Sequence, residues 1–118
     1  MLDHIGLRAR DFDALVEFYE TCLTPLGYAR TGSYDGGVGF GKNDTAPLWI
    51  IASKEAPSSV HIAFNSPSRT AVDAFYEAAI EKGAKDNGKP GTRYGDNYYA
   101  AFVIDPDGNN IEAVYRKS

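Results

Sequence analysis

Cysteine is almost absent from this 118-residue chain: Cys22 stands alone, so no internal disulfide can form and a reducing compartment suits it. Histidine is nearly as scarce, with only His4 and His61. There is no run of about 20 apolar residues and no signal-peptide pattern, which speaks against a membrane span and for a soluble, cytoplasmic protein. Basic residues are too few and too scattered for a nucleic-acid partner: 12 Lys and Arg face 16 Asp and Glu, for a net charge of -4 and a pI near 5.0. No Gly-x-Ser-x-Gly elbow is present. The stretch from Gly36 to Lys42 comes close to a phosphate-binding loop, but Asn43 replaces the Ser or Thr and no helix follows.

What is present is ordinary for a globular protein, with 43% hydrophobic and 24% charged residues. A chain of this length buries roughly two-thirds of its unfolded surface, enough for one compact unit without cross-links. Asp3 to Arg8 reads as a strand. Asp11 then caps a helix whose apolar face includes Leu15, Val16, Phe18, Tyr19, Cys22 and Leu23, so Cys22 is expected to be buried packing. Pro25 and Gly27 end that helix. Strands follow at Tyr28 to Ser33, Val38 to Lys42 and Leu48 to Ala52, and Pro57-Ser58 interrupts the chain at its middle.

The pattern then restarts. Ser59 to Phe64 is a strand, Pro67-Ser68 opens a helix ending at Gly83, and Tyr99 to Ile104 and Ile111 to Tyr115 form a hairpin across Asp105-Pro106-Asp107-Gly108. The polar stretch from Lys85 to Asp96 reads as a loop, with Asn87 to Gly95 the candidate mobile segment. His4 and His61 are 57 positions apart, and so are Leu15 and Val72, Phe18 and Phe75, and Tyr19 and Tyr76. A strand histidine in step with two Phe-Tyr pairs indicates a βαβββ duplication. Its halves are residues 1–56 and 57–118, within one α+β domain.

Strand alternation sorts the side chains. Ile5 and Leu7, Ile62 and Phe64, and Ile111, Ala113 and Tyr115 should pack under the helices. The opposite face carries His4, His61 and Glu112, beside the small residues Gly6 and Ala63. Two imidazoles and a carboxylate form a ligand set for a first-row divalent metal, with Zn, Ni, Mn and Fe(II) as candidates. Such an ion polarises a substrate oxygen. A lone strand histidine or glutamate is ordinarily structural, and the joint placement of the trio is what points to a metal.

Leu2-Asp3-His4-Ile5-Gly6-Leu7, Val60-His61-Ile62-Ala63-Phe64 and Asp105-Pro106-Asp107-Gly108-Asn109-Asn110-Ile111-Glu112 together resemble the vicinal oxygen chelate superfamily, the glyoxalase, bleomycin-resistance and extradiol-dioxygenase group. The resemblance covers essentially the whole chain. It implies two tandem βαβββ modules whose curled mixed sheets form a metal-binding cleft, and it places His4, His61 and Glu112 on three of four usual metal positions. The fourth falls on Trp49 or Ile50, neither of which can bind metal, so a three-ligand dioxygenase-like set is expected in preference to that of glyoxalase I. The resemblance further implies a lyase, isomerase or dioxygenase acting on a small oxygen-chelating molecule, and a homodimer. The alternative is a non-catalytic protein that sequesters an aromatic or antibiotic-like ligand. Tyr98 and Tyr99 are candidate catalytic groups, and Trp49, Arg93 and Tyr94 candidate substrate contacts, near the cleft mouth.

Overall fold

In the computed structural model, which describes residues 1–117, the chain runs twice through the same order of elements. The last residue of the expected second half, Ser118, lies outside the described residues. The first module comprises β1 (Ile5–Ala9), α1 (Phe12–Leu23), β2 (Ala29–Tyr34), β3 (Gly37–Gly41) and β4 (Leu48–Ala52). The second comprises β5 (His61–Asn65), α2 (Arg69–Glu81), β6 (Lys85–Thr92), β7 (Tyr98–Ile104) and β8 (Asn110–Arg116). Each module forms its own four-stranded mixed sheet, ordered β1-β4-β3-β2 and β5-β8-β7-β6. β1 runs parallel to β4 and β5 parallel to β8, while the other pairs are antiparallel. The duplication and the α+β architecture are as the sequence implies. Neither sheet closes, and β1 and β5 remain edge strands with a partner on one side only.

The helices start where side-chain oxygens can satisfy free amides. Asp11 accepts from the Ala14 amide, and Ser68 accepts from the Ala71 amide. A one-turn 3-10 segment at Thr24–Leu26 ends at Gly27, whose φ of 91° lies in the left-handed region that glycine enters without strain. Leu15, Phe18, Tyr19, Cys22 and Leu23 of α1 pack with Val72, Phe75 and Ala79 of α2, on a floor that includes Leu7, Ile50, Val103, Ile111 and Ala113. Cys22 is fully buried there, and burial pushes its thiol well above the usual range. The cysteine is packing, as its place in the helix pattern indicates.

The stretch from Lys85 departs from expectation. Its first part, Lys85–Thr92, is not a loop but strand β6, bonded to β7 through a ladder with register shifts on either side of Gly88, while Arg93 to Asp96 is irregular as expected. Its Gly and Pro content conceals it, yet β6 lies at the sheet's edge, where a proline need not donate and a bulge can be absorbed. Gly88 is required where it sits, because a Cβ there would stand 2.9 Å from the Phe102 ring. Among the described residues, no helix is long and apolar enough to cross a membrane.

The two modules are tied by a polar network under the Asp105–Asn110 turn. Buried Asp105 accepts from the amides of Asp107 and Asn109, from Asn109 Nδ2 at 2.8 Å and from the Tyr19 hydroxyl at 2.5 Å. The Asn109 side chain in turn accepts from the Val60 amide at 2.9 Å, and Asp107 accepts from the Arg10 amide at 3.0 Å. The turn that closes the second module thus grips the helix of the first.

Candidate functional site

On the face of the second sheet turned away from the helices, the ladders place Glu112 between Phe102 of β7 and Ala63 of β5. His61, two positions along β5 from Ala63 and so on the same face, reaches the same spot: its Nε2 lies 3.2 Å from Glu112 Oε1. Glu112 is buried, its side chain 4% exposed, while the His61 ring is half open to solvent. A buried carboxylate is costly without partners. Glu112 has two, because the Tyr98 hydroxyl donates to its Oε2. Burial, together with that contact, pushes the Tyr98 phenol up to about 12, so the hydroxyl keeps its proton at neutral pH.

The His61 ring is oriented by its other nitrogen, 3.0 Å from the Asn110 carbonyl oxygen. A carbonyl carries no hydrogen, so Nδ1 must be the donor. In a neutral ring Nε2 then directs a lone pair at a carboxylate oxygen. Two facing electron donors repel unless a cation or a proton lies between them. First-row ions bind such nitrogen and oxygen ligands at about 2.1 Å, so two donors sharing one ion sit roughly 3 Å apart. The pair fits a metal, and the carbonyl behind Nδ1 is the support that metal-bound histidines ordinarily have.

His4 stands elsewhere. It immediately precedes β1, and its Nδ1 lies 2.6 Å from Asp3 Oδ1. Among the described residues, no three His, Cys, Asp or Glu side chains converge closely enough to hold a metal ion. One chain therefore brings together His61 and Glu112 of the predicted trio and keeps His4 apart. A cavity of about 230 Å³ opens at His4 between the modules, but its walls are mainly the apolar residues Ile5, Leu23, Phe40, Leu48 and Phe64. Neither His61 nor Glu112 lines it.

The remaining candidates divide by face. Tyr98 is on the Glu112 side, whereas Tyr99 points to α2, where its hydroxyl donates to Asp73 and Arg69 covers its ring. Arg93 lies over the Phe102 ring at 5.7 Å, and Phe102 stacks on His61 with 6.3 Å between centroids. Tyr94 packs edge-on against Tyr98 at 5.1 Å and is otherwise exposed. Arg116, which sequence reasoning missed, sits over the other side of this cluster, 4.6 Å from the Tyr98 ring centre. Its period-two spacing from Glu112 was the available signal.

Trp49 occupies the place in the first module that Glu112 holds in the second. Gly6 pairs with Trp49 as Ala63 pairs with Glu112, and Gly6 and Ala63 are related by the repeat. The indole lies against Gly32 and Gly39, with Tyr34 at 5.4 Å, and a Cβ on either glycine would come within 2.9 Å of it.

Comparison with known proteins agrees with this architecture. The family model for the Glyoxalase/Bleomycin resistance protein/Dioxygenase superfamily matches residues 1–113. An uncharacterised Bacillus subtilis (strain 168) protein, YqjT, is 29% identical, with 96% of this chain and 97% of that protein covered. Among solved structures, a glyoxalase/bleomycin resistance protein from Albidiferax ferrireducens T118 superposes with a TM-score of 0.85 at 24% identity, covering 98% of both chains. The oxidase ChaP-H2 is similar at a TM-score of 0.72 and 24% identity, over 99% of this chain and 94% of that one. At these identities the structural likenesses establish the fold.

Proposed function

Because the chain belongs to the glyoxalase/bleomycin resistance/dioxygenase superfamily, we propose that it is a metal-dependent enzyme of lyase, isomerase or dioxygenase type. In this reading His61 and Glu112 hold a divalent ion (Zn, Ni, Mn or Fe(II)), and His4 of a second copy of the chain completes the set. The observation that carries it is the 3.2 Å approach of His61 Nε2 to Glu112 Oε1, with Nδ1 committed to a backbone carbonyl. The need for a second copy follows from the separation of His4 and from the half-paired edges of β1 and β5, along which another chain can align.

The ion, when bound, acts as a Lewis acid on an oxygen of a small-molecule substrate. The chain's own residues do the rest. Glu112 offers Oε1 while Tyr98 holds Oε2, which favours one-oxygen ligation. Phe102 and the wall of β7 exclude water from one side of His61.

A second reading, a binder that sequesters a flat aromatic ligand without turnover, draws on Trp49 and Tyr34 above their glycine floor and on exposed Tyr94. Metal analysis of protein purified without chelator tests the enzyme reading. It predicts stoichiometric metal that is lost in His61→Ala. Absence of metal, with no rise in melting temperature on adding Ni or Zn, would refute it and leave the binder.

A further inference from the structure

The geometry points to a two-arginine subsite on the His61–Glu112 face that selects a small planar organic anion, with Arg93 and Arg116 as its anchors. The inference rests on the reading that this face is the substrate cleft, and it names the ligand class that the cleft takes.

The argument starts from charge. The chain is acidic overall, yet the rim of this face carries two guanidiniums that no ion pair among the described residues uses. Arg8, Arg10 and Arg30 all lie within 4 Å of a carboxylate oxygen, whereas Arg69, also outside the ion pairs, covers the Tyr99 ring and donates to the Asp96 carbonyl on the helix side, away from this face.

Arg93 is pre-positioned. It donates to the Lys89 carbonyl at 2.7 Å and to the Thr92 carbonyl at 3.3 Å, and its guanidinium carbon stands 5.7 Å from the Phe102 ring centre. Those contacts occupy two of its five N–H donors and fix the plane of the fork, so a bound oxyanion meets an ordered guanidinium. Gly88 makes room for this, because a Cβ there would touch both Phe102 and Arg93.

Arg116 sits opposite Tyr98 in the ladder and covers its ring at 4.6 Å. The two cations therefore flank one continuous surface of Phe102, His61, Glu112 and Tyr98. Its rings offer flat walls, and charge-assisted hydrogen bonds from the guanidiniums favour a carboxylate-type oxyanion over its neutral isostere. The carboxylate of Glu112 opposes an anion on this face, and the two arginines offset it.

The test uses 1-naphthoate and its neutral isostere 1-naphthamide, titrated calorimetrically into the purified full chain in Ni-loaded and chelator-treated forms. The acid should bind at least tenfold more tightly than the amide in both forms. Arg93→Met and Arg116→Met should each weaken acid binding by roughly tenfold while leaving amide binding and metal content unchanged. Arg93→Lys should recover part of the loss. Equal affinity for acid and amide, or a preference that survives in the double Met variant with an unchanged melting temperature, would overturn the inference. A protein that takes up no metal yet still prefers the acid would sink the metal reading and leave the anion subsite standing.

Discussion

Replacing Tyr19 by Phe removes one oxygen from the core and nothing else. Tyr19 is completely buried, and its hydroxyl is the only group of α1 that reaches the Asp105 carboxyl in the turn of the second module. Phe fills nearly the same volume, so no cavity term enters. What is lost is a buried 2.5 Å bond to a carboxylate that has three other donors: the amides of Asp107 and Asn109, and Asn109 Nδ2. Bonds to charged groups contribute about 1.5–3 kcal/mol, and the buried acceptor cannot turn to water for a replacement. For a chain of this size about 4 °C of melting temperature accompanies each kcal/mol, so a fall of roughly 6–12 °C is expected in a calorimetric or circular-dichroism melt. Tyr28→Phe is the control: its hydroxyl donates at 2.7 Å to the Asn65 carbonyl in a more exposed setting, and should cost well under half as much. A Tyr19→Phe melting temperature within about 2 °C of the parent, or equal to that of Tyr28→Phe, would show that the turn does not hold the modules together.

If the metal set is shared between copies, His4→Ala and Glu112→Ala each bind no metal alone, but refolded as a mixture they regain one intact site per mixed dimer. A mixture with no metal in mass spectrometry would refute the sharing. The Tyr98 phenol, raised to about 12 by burial and by Glu112, contributes stability that is fully present below pH 10 and lost as pH rises through 12. The melting-temperature gap between parent and Tyr98→Phe should therefore narrow over that window, and a constant gap from pH 9 to 12 would contradict the contact. Gly39→Ala sets a Cβ 2.9 Å from both Ala46 and the Trp49 indole, so it should cost about 1–3 kcal/mol and shift the emission of the sole tryptophan. An unchanged spectrum would mean that the indole does not rest on the sheet.

The duplication was legible because helix burial leaves a strong period: the apolar positions of α1 recur in α2 at a constant offset, and their residues form the core observed. Strand β6 was not legible, since a bulged edge strand buries little and needs no alternation. The pairing of His61 with Glu112 followed from alternation on β5 and β8, because parallel neighbours keep the same face together. The separation of His4 did not follow from it. Alternation says which way a side chain points and nothing about how two sheets stand to each other. Asp105 and Asn109 read as turn formers, and their burial under α1 depends on a contact 86 positions away in sequence, which no local pattern announces.

The halves differ at one ladder position: Trp49 stands in the first module where Glu112 stands in the second. The difference is not local to position 49. An indole on that strand needs floor space, and Gly32 and Gly39 supply it, since any side chain at either would collide with the ring. Three positions of the first module are thus committed to a flat apolar wall, while Tyr98, Asn110 and Ala63 of the second support a buried acid and an oriented imidazole. The two sheets therefore present faces of different kinds, donors on one and a stacking surface on the other. If the proposed ion binds at His61 and Glu112, Trp49 supplies it no further side chain, and that coordination position is left to a ligand's oxygens.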